Sequence, residues 1–85
     1  MKTATFVKNL KNFAGEAKLY KLSPPYRGWE FVVVSAAIAP FSGPETYIFG
    51  ANEQGSIMDW LELPGSFQGE LNHNKALENA GYVVK

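Results

Sequence analysis

The sequence predicts an α+β domain: a mainly antiparallel sheet of four to five strands with one short C-terminal helix packed on it. Three observations carry this. Gly and Pro divide the 85 residues into short pieces, as turns divide a small sheet. One piece, "EFVVVSAAIA" at residues 30–39, is apolar at both alternating sets of positions. Near the end, "HNKALENAG" combines helical spacing with a capping residue on either side. A chain of this length forms one domain, residues 1–85, and buries about 60–65% of the surface its unfolded form exposes.

The first strand is "TATFVKNL", where Thr, Phe and Val favour extended backbone. "NLKNFAG" is a turn region, and "EAKLYKL" is the second strand, stopped by Ser23-Pro24-Pro25. A helix is the rival for residues 3–22, since Phe6, Leu10, Phe13, Ala17 and Tyr20 recur at helical spacing. Gly15 would cost such a helix about 1 kcal/mol, and Asn9 and Asn12 suit turns, so the hairpin is preferred. "SPPYRG" is a loop. "WEFVVVSAAIA" is the third strand, with three valines that pack well on a pleated surface. "PFSGPE" is the loop that ends it.

"TYIFGANEQGSIMDWLEL" reads as a hairpin turning at "NEQG", with Gly55 at positive φ. With Asn52 facing Ser56, Ile48 falls opposite Trp60 and Tyr47 opposite Leu61, and Trp60 leans over Gly50. A helix capped by Ser56 is the alternative. "PGSFQGELN" is a loop. Asn72 caps the C-terminal helix and Gly81 ends it; His73, Leu77 and Ala80 share one face of it, with Ala76 beside them. "YVVK" adds a last short strand.

The third strand raises a question of coverage. Phe31, Val33, Ser35 and Ala37 point one way, and Val32, Val34, Ala36 and Ile38 the other. Such a strand is central and covered on both faces. One short helix covers one face. The second needs the loops around residues 9–15 and 40–46, a sheet curled on itself, or another molecule. A second chain would make the protein a homodimer, anchored by aromatics such as Trp29, Phe31 or Trp60. The small residues Ser35, Ala36 and Ala37 would admit a close approach.

Formal net charge is zero, but the charges are segregated. Residues 1–28 hold six cations against Glu16 alone, and residues 29–80 hold seven anions against Lys75 alone. Either the two parts interleave and neutralise each other, or the surface is dipolar and steers a charged partner or pairs head to tail. The absence of cysteine removes disulfides, Cys-based zinc sites and thiolate nucleophiles. The opening "MKTATFVKNLKNF" lacks a signal peptide's apolar run and cleavage site. A cytoplasmic location without membrane insertion is expected.

No motif points to an enzyme, and no cofactor or metal is expected. The single histidine, His73, has no His-x-x-His or Glu-x-x-His partner and is expected at the surface or half-buried. Gly50 and Gly55 have phosphate-loop spacing, but the following lysine is missing. Glu45, Glu53, Asp59, Glu62 and Glu70 are spread over loops and strand ends, which suits a solvated acidic rim. The expected function is a non-enzymatic binding or regulatory module acting through protein–protein contact, with Trp29, Phe31 and Trp60 as its surface. The alternative is a small nucleic-acid-binding domain. Lys8, Lys11, Lys18, Lys21 and Arg27 would hold the backbone while Phe6, Phe13, Tyr20 and Tyr26 stack on bases.

The stretches "FVVVSA", "FSGPETYIF", "DWLEL", "GS" and "HNKALENAGY" resemble a set of small uncharacterised proteins of bacteria and bacteriophages. The resemblance spans most of the chain. It implies a small α+β domain and supplies no activity, ligand or catalytic residue. A phage-type member would bind and modulate a host factor.

Overall fold

A computed structural model describes residues 2–11, 15–41 and 43–85. Its backbone is a seven-stranded mixed sheet in the order β5-β4-β3-β2-β1-β7, with β6 also paired to β4. The strands are β1 (Thr3–Leu10), β2 (Glu16–Tyr26), β3 (Trp29–Ala39), β4 (Gly43–Ala51), β5 (Ile57–Asp59), β6 (Phe67–Gln68) and β7 (Val83–Val84). Among the described residues there is one helix, α1, at His73–Asn79. The sequence predicts four to five strands. The extra ones are two- and three-residue segments that extend the edges of a β1–β4 meander.

The hairpin reading of residues 3–22 holds, since β1 and β2 pair antiparallel from Thr3 with Ser23 to Leu10 with Ala17. Residues 12–14 of the expected turn lie outside the described residues. Ser23-Pro24-Pro25 does not stop β2. The strand continues to Tyr26, and a register shift between Lys21 and Tyr26 takes up the prolines, which cannot donate to a ladder. Arg27 and Gly28 both have positive φ, 51° and 89°, so a tight primed turn sets Tyr26 beside Trp29.

The turn at residues 52–55 forms as expected. Gly55 N–H donates to the Asn52 carbonyl at 3.0 Å, and Asn52 N–H to the Ser56 carbonyl at 3.0 Å. The register beyond it differs from expectation. Ala51 pairs with Ile57 but Gly50 with Asp59, so Met58 is a bulge residue. The displaced chain leaves the ladder at Trp60 and returns at Leu63, whose N–H donates to the Ile48 carbonyl at 2.9 Å. Trp60 therefore does not face Ile48. The ring over Gly50 belongs to Trp29, so close that a Cβ has no room. The expected loop at residues 64–72 contains β6, which pairs with Glu45 and Thr46.

Helix α1 is capped at both ends as predicted. The Asn72 side chain accepts from Lys75 N–H at 3.0 Å. Gly81, at φ 95°, donates to the Glu78 carbonyl while Tyr82 donates to that of Leu77, a Schellman pairing. The chain then enters β7, parallel to β1. The core between helix and sheet includes Leu22, Val32, Val34, Ile48, Leu77 and Tyr82. Burial pushes the phenols of Tyr20 and Tyr82 above their usual 10.0, and Tyr26 adds to this at Tyr82. Their neutral forms are thus favoured by folding. That stability is fully present below pH 10 and is lost as pH rises past 10 through the folded-state values. Urea midpoints measured on either side of pH 10 should fall on the alkaline side, and a flat profile would contradict this packing.

The second face is covered by the chain itself. Val33 and Leu19 are both 0% exposed, in a cluster with Ala17 and Ala51 flanked by Leu10, Phe31 and Ile57. Leu10 ends β1 in the row of Ala17 and Ser35, whereas Gly55 lies beyond Ala51 in the row of Phe31. These are diagonally opposite corners of the meander. Yet a Cβ on Gly55 would fall 2.6 Å from Leu10 Cδ2. The sheet coils until the two corners touch, and a bulge at Val7 adds local twist. Of the coverings open to the sequence, the curled sheet is the one at the centre of this face. What approaches Ala36 and Ala37 closely is Gly15, whose backbone leaves no space for a Cβ. Gly55→Val should cost more than about 1 kcal/mol, because a β-branched residue fits poorly at φ 93°. Urea unfolding measures it, and a neutral result would remove the corner contact as a stabilising feature.

Candidate protein-interaction surface

Coiling leaves the ends of the sheet order with different surfaces. At the β5 end, Trp60 is 67% exposed, with Met58 and Leu61 beside it in the chain and also exposed. The Met58 bulge turns Trp60 out of the ladder, and its ring rests on Phe49 at 5.2 Å between centroids. Phe49 in turn meets Tyr47 edge-on at 6.2 Å. Asp59 fixes the next turn by accepting from Leu61 N–H at 3.0 Å.

Carboxylates rim this aromatic row. Tyr47 donates to Glu45, and Gln68 Nε2 donates to the same Glu45 oxygen at 2.9 Å. Gln68's bond to the Tyr47 oxygen favours the phenolate, but the Glu45 bond, some burial and the charges of Glu45 and Glu62 outweigh it. The phenol is held above its usual value. Tyr47, Phe49, Trp60, Glu45 and Glu62 thus form one acidic, aromatic patch.

At the other end, β7 pairs only with Thr3 and Ala4 of β1. Among the described residues, β1 from Thr5 onward has no outer partner strand. Backbone directions alternate along a strand. The phase that turns the Ala4 carbonyl toward Lys85 N–H turns the main-chain groups of Phe6 outward as well. Phe6 and Val7 are 43% and 44% exposed, next to Lys8. This edge is apolar and basic.

A third feature is an open pocket of about 510 Å³ where the start of β2 meets β3 and α1, lined by Glu16, Ala36, Ile38, Leu71 and His73 among others. His73, expected at the surface or half-buried, is buried at 9% exposure. Its Nε2 lies 2.9 Å from the Glu16 carbonyl oxygen, which only accepts, so Nε2 carries the proton and donates. The ring ties α1 to the start of β2. Among the described residues, no group of three His, Asp or Glu side chains is placed to hold a metal ion, and no helix is long and apolar enough to cross a membrane.

The structure separates the residues singled out from sequence. Trp29 packs with the helix-side core, Phe31 with the second-face cluster, and of the three anchors only Trp60 is exposed. The cations also divide. Lys18 sits opposite Val34 on the helix side, while Lys8 and Lys21 lie on the other side in the rows of Leu19 and Phe31. Arg27 is at the β2–β3 turn, over the Tyr26 ring at 5.9 Å. Lys11 lies just past β1. Of the rings that would stack on bases, Tyr20 is buried and Tyr26 is half-buried against Tyr82; Phe13 lies outside the described residues. Sequence reasoning missed Val7, Met58 and Leu61 as surface residues. Bulges set the direction of the first and displace the chain around the others, and a bulge has no single-strand signature. Compared with family models, curated proteins and solved structures, the chain matches none.

Proposed function

We propose that this protein is a small binding or regulatory module that works through protein–protein contact, with Trp60 at its centre. One observation carries the reading. A tryptophan at 67% exposure rests on Phe49, with Tyr47 behind it, apolar neighbours in the chain and a carboxylate rim. Aromatic anchors ringed by polar groups supply most of the energy at protein interfaces, and an isolated solvated tryptophan would need no such base. The nucleic-acid alternative has less support, because its cations fall on different sides of the sheet and Tyr20 is in the core. A host factor bound by a phage-type protein is one partner that fits.

Trp60→Ala tests the reading. The ring is mostly solvent-exposed, so the unfolding midpoint should stay near that of the parent. Wild-type and Trp60→Ala baits, used side by side for affinity capture from native lysate, should differ in at least one retained protein. The reading fails if both baits hold the same proteins.

A further inference from the structure

We infer that copies of this chain join head to tail, the basic β1 edge of one copy seating on the acidic Trp60 patch of the next. The inference rests on the binding-module reading and names a second copy as the partner. Its basis is complementarity between two surfaces at opposite ends of the sheet order. Val7 offers an apolar side chain beside Lys8, with Phe6 on the helix-side face of the same edge against Tyr20; Trp60 and Leu61 offer theirs beside Glu45 and Glu62. Among the described residues, one ion pair, Lys21–Glu30 at 3.8 Å, links the basic and acidic segments, so few of these charges are paired with one another within the chain.

The same charges disfavour a twofold dimer. Two β1 edges face to face would set lysine against lysine, and two Trp60 patches would set glutamate against glutamate. Lysine and a bulge are also the devices that keep an edge strand from pairing indiscriminately. On β1 they leave the edge open to a partner that supplies carboxylates. Basic edge on acidic patch satisfies both surfaces, and such a heterologous contact repeats from copy to copy unless its rotation closes a ring. A standard interface takes about 800 Å² from each partner, against a total surface of 4999 Å². Using both ends therefore commits a large share of each molecule. Assembly should depend on concentration and weaken with salt.

The test uses two blocked variants of the full chain. One carries Val7→Glu with Lys8→Glu, and the other Trp60→Glu; all three sites are exposed, and unchanged unfolding midpoints would confirm that both variants fold. Light scattering over a dilution series should show wild type growing beyond twice its 9.4 kDa mass at high concentration and shrinking in high salt. Each variant alone should remain monomeric. Their equimolar mixture should form a dimer and stop there, because one intact edge and one intact patch remain. The inference is overturned if wild type is monomeric throughout or the mixture stays monomeric. A wild-type dimer that persists in the Val7→Glu, Lys8→Glu variant would also overturn it. A monomeric wild type whose captured protein is lost with Trp60→Ala would overturn self-assembly alone and leave the binding-module reading standing.

Discussion

Leu77→Ala should lower the free energy of unfolding by about 2–5 kcal/mol. Leu77 is 1% exposed and packs with Val32, Val34 and Ile48 in the helix-side core. Helix α1 has seven residues, too few to persist in water without docking. Its main chain also matters, since the Leu77 carbonyl holds Tyr82 N–H. Loosening the helix therefore loosens Tyr82, whose hydroxyl reaches the Pro24 carbonyl, and β7 beyond it. In a domain stabilised by about 5–15 kcal/mol in total, the loss should appear as a clear fall in the urea midpoint. Leu77→Met, which keeps the volume, should recover most of it. A cost under about 1 kcal/mol for the alanine variant would mean that helix docking contributes little.

The elements legible in the sequence are those whose signals are local. The whole of β3 can be read from its valine run and flanking turns, and the limits of α1 from Asn72 and Gly81. The 52–55 turn follows from Gly55. What escapes is β6, the shortness of β5 and the parallel pairing of β7. A strand of two or three residues has no periodicity to detect, and its existence depends on whether a neighbour presents a free edge. Bulges at Val7 and Met58 escape for the same reason, because they are properties of a pair of strands.

The site is legible in proportion. The two charge blocks can be read directly, and their strand residues stay apart: Lys8, Lys18 and Lys21 lie on β1 and β2, and Glu30, Glu45 and Asp59 on β3, β4 and β5. An aromatic's exposure cannot be read this way, because it depends on the register of its neighbours. Trp29 and Phe31 are two residues apart on one strand, which predicts a shared face. The register shift between Lys21 and Tyr26 lies opposite the start of β3, and Trp29 turns to cover Gly50 with the helix-side core while Phe31 stays with the second face. Trp60 is exposed for a related reason, since the Met58 bulge moves it off the partner that regular pairing would assign.

The coil of the sheet has a sharper consequence at Val33. If the second face were covered only on association, a charge there would give a folded chain that cannot associate. Here Val33 is 0% exposed within a single chain, among Leu19, Ala17 and Ala51, with Leu10 and Ile57 closing over them. Lys8 and Lys21 share this face in the rows of Leu19 and Phe31, but both lie exposed at its margin rather than within the cluster. Val33→Asp should therefore strand a buried charge, at a cost of about 3–5 kcal/mol judged from buried ion pairs that lose one partner. That is enough to unfold most of a small domain at neutral pH. The carboxyl can escape the penalty by staying protonated, so the variant's folded-state pKa is raised above its unfolded value. Unlike the usual depressed aspartate, its destabilisation should be greatest above the folded-state value and ease as pH falls toward the unfolded one. Circular dichroism of Val33→Asp across the acid range, beside Val33→Ala as the neutral control, should show structure returning as the carboxyl protonates. A variant fully folded and monomeric at neutral pH would mean that the diagonal contact between Leu10 and Gly55 opens readily, leaving the second face to be covered by another molecule.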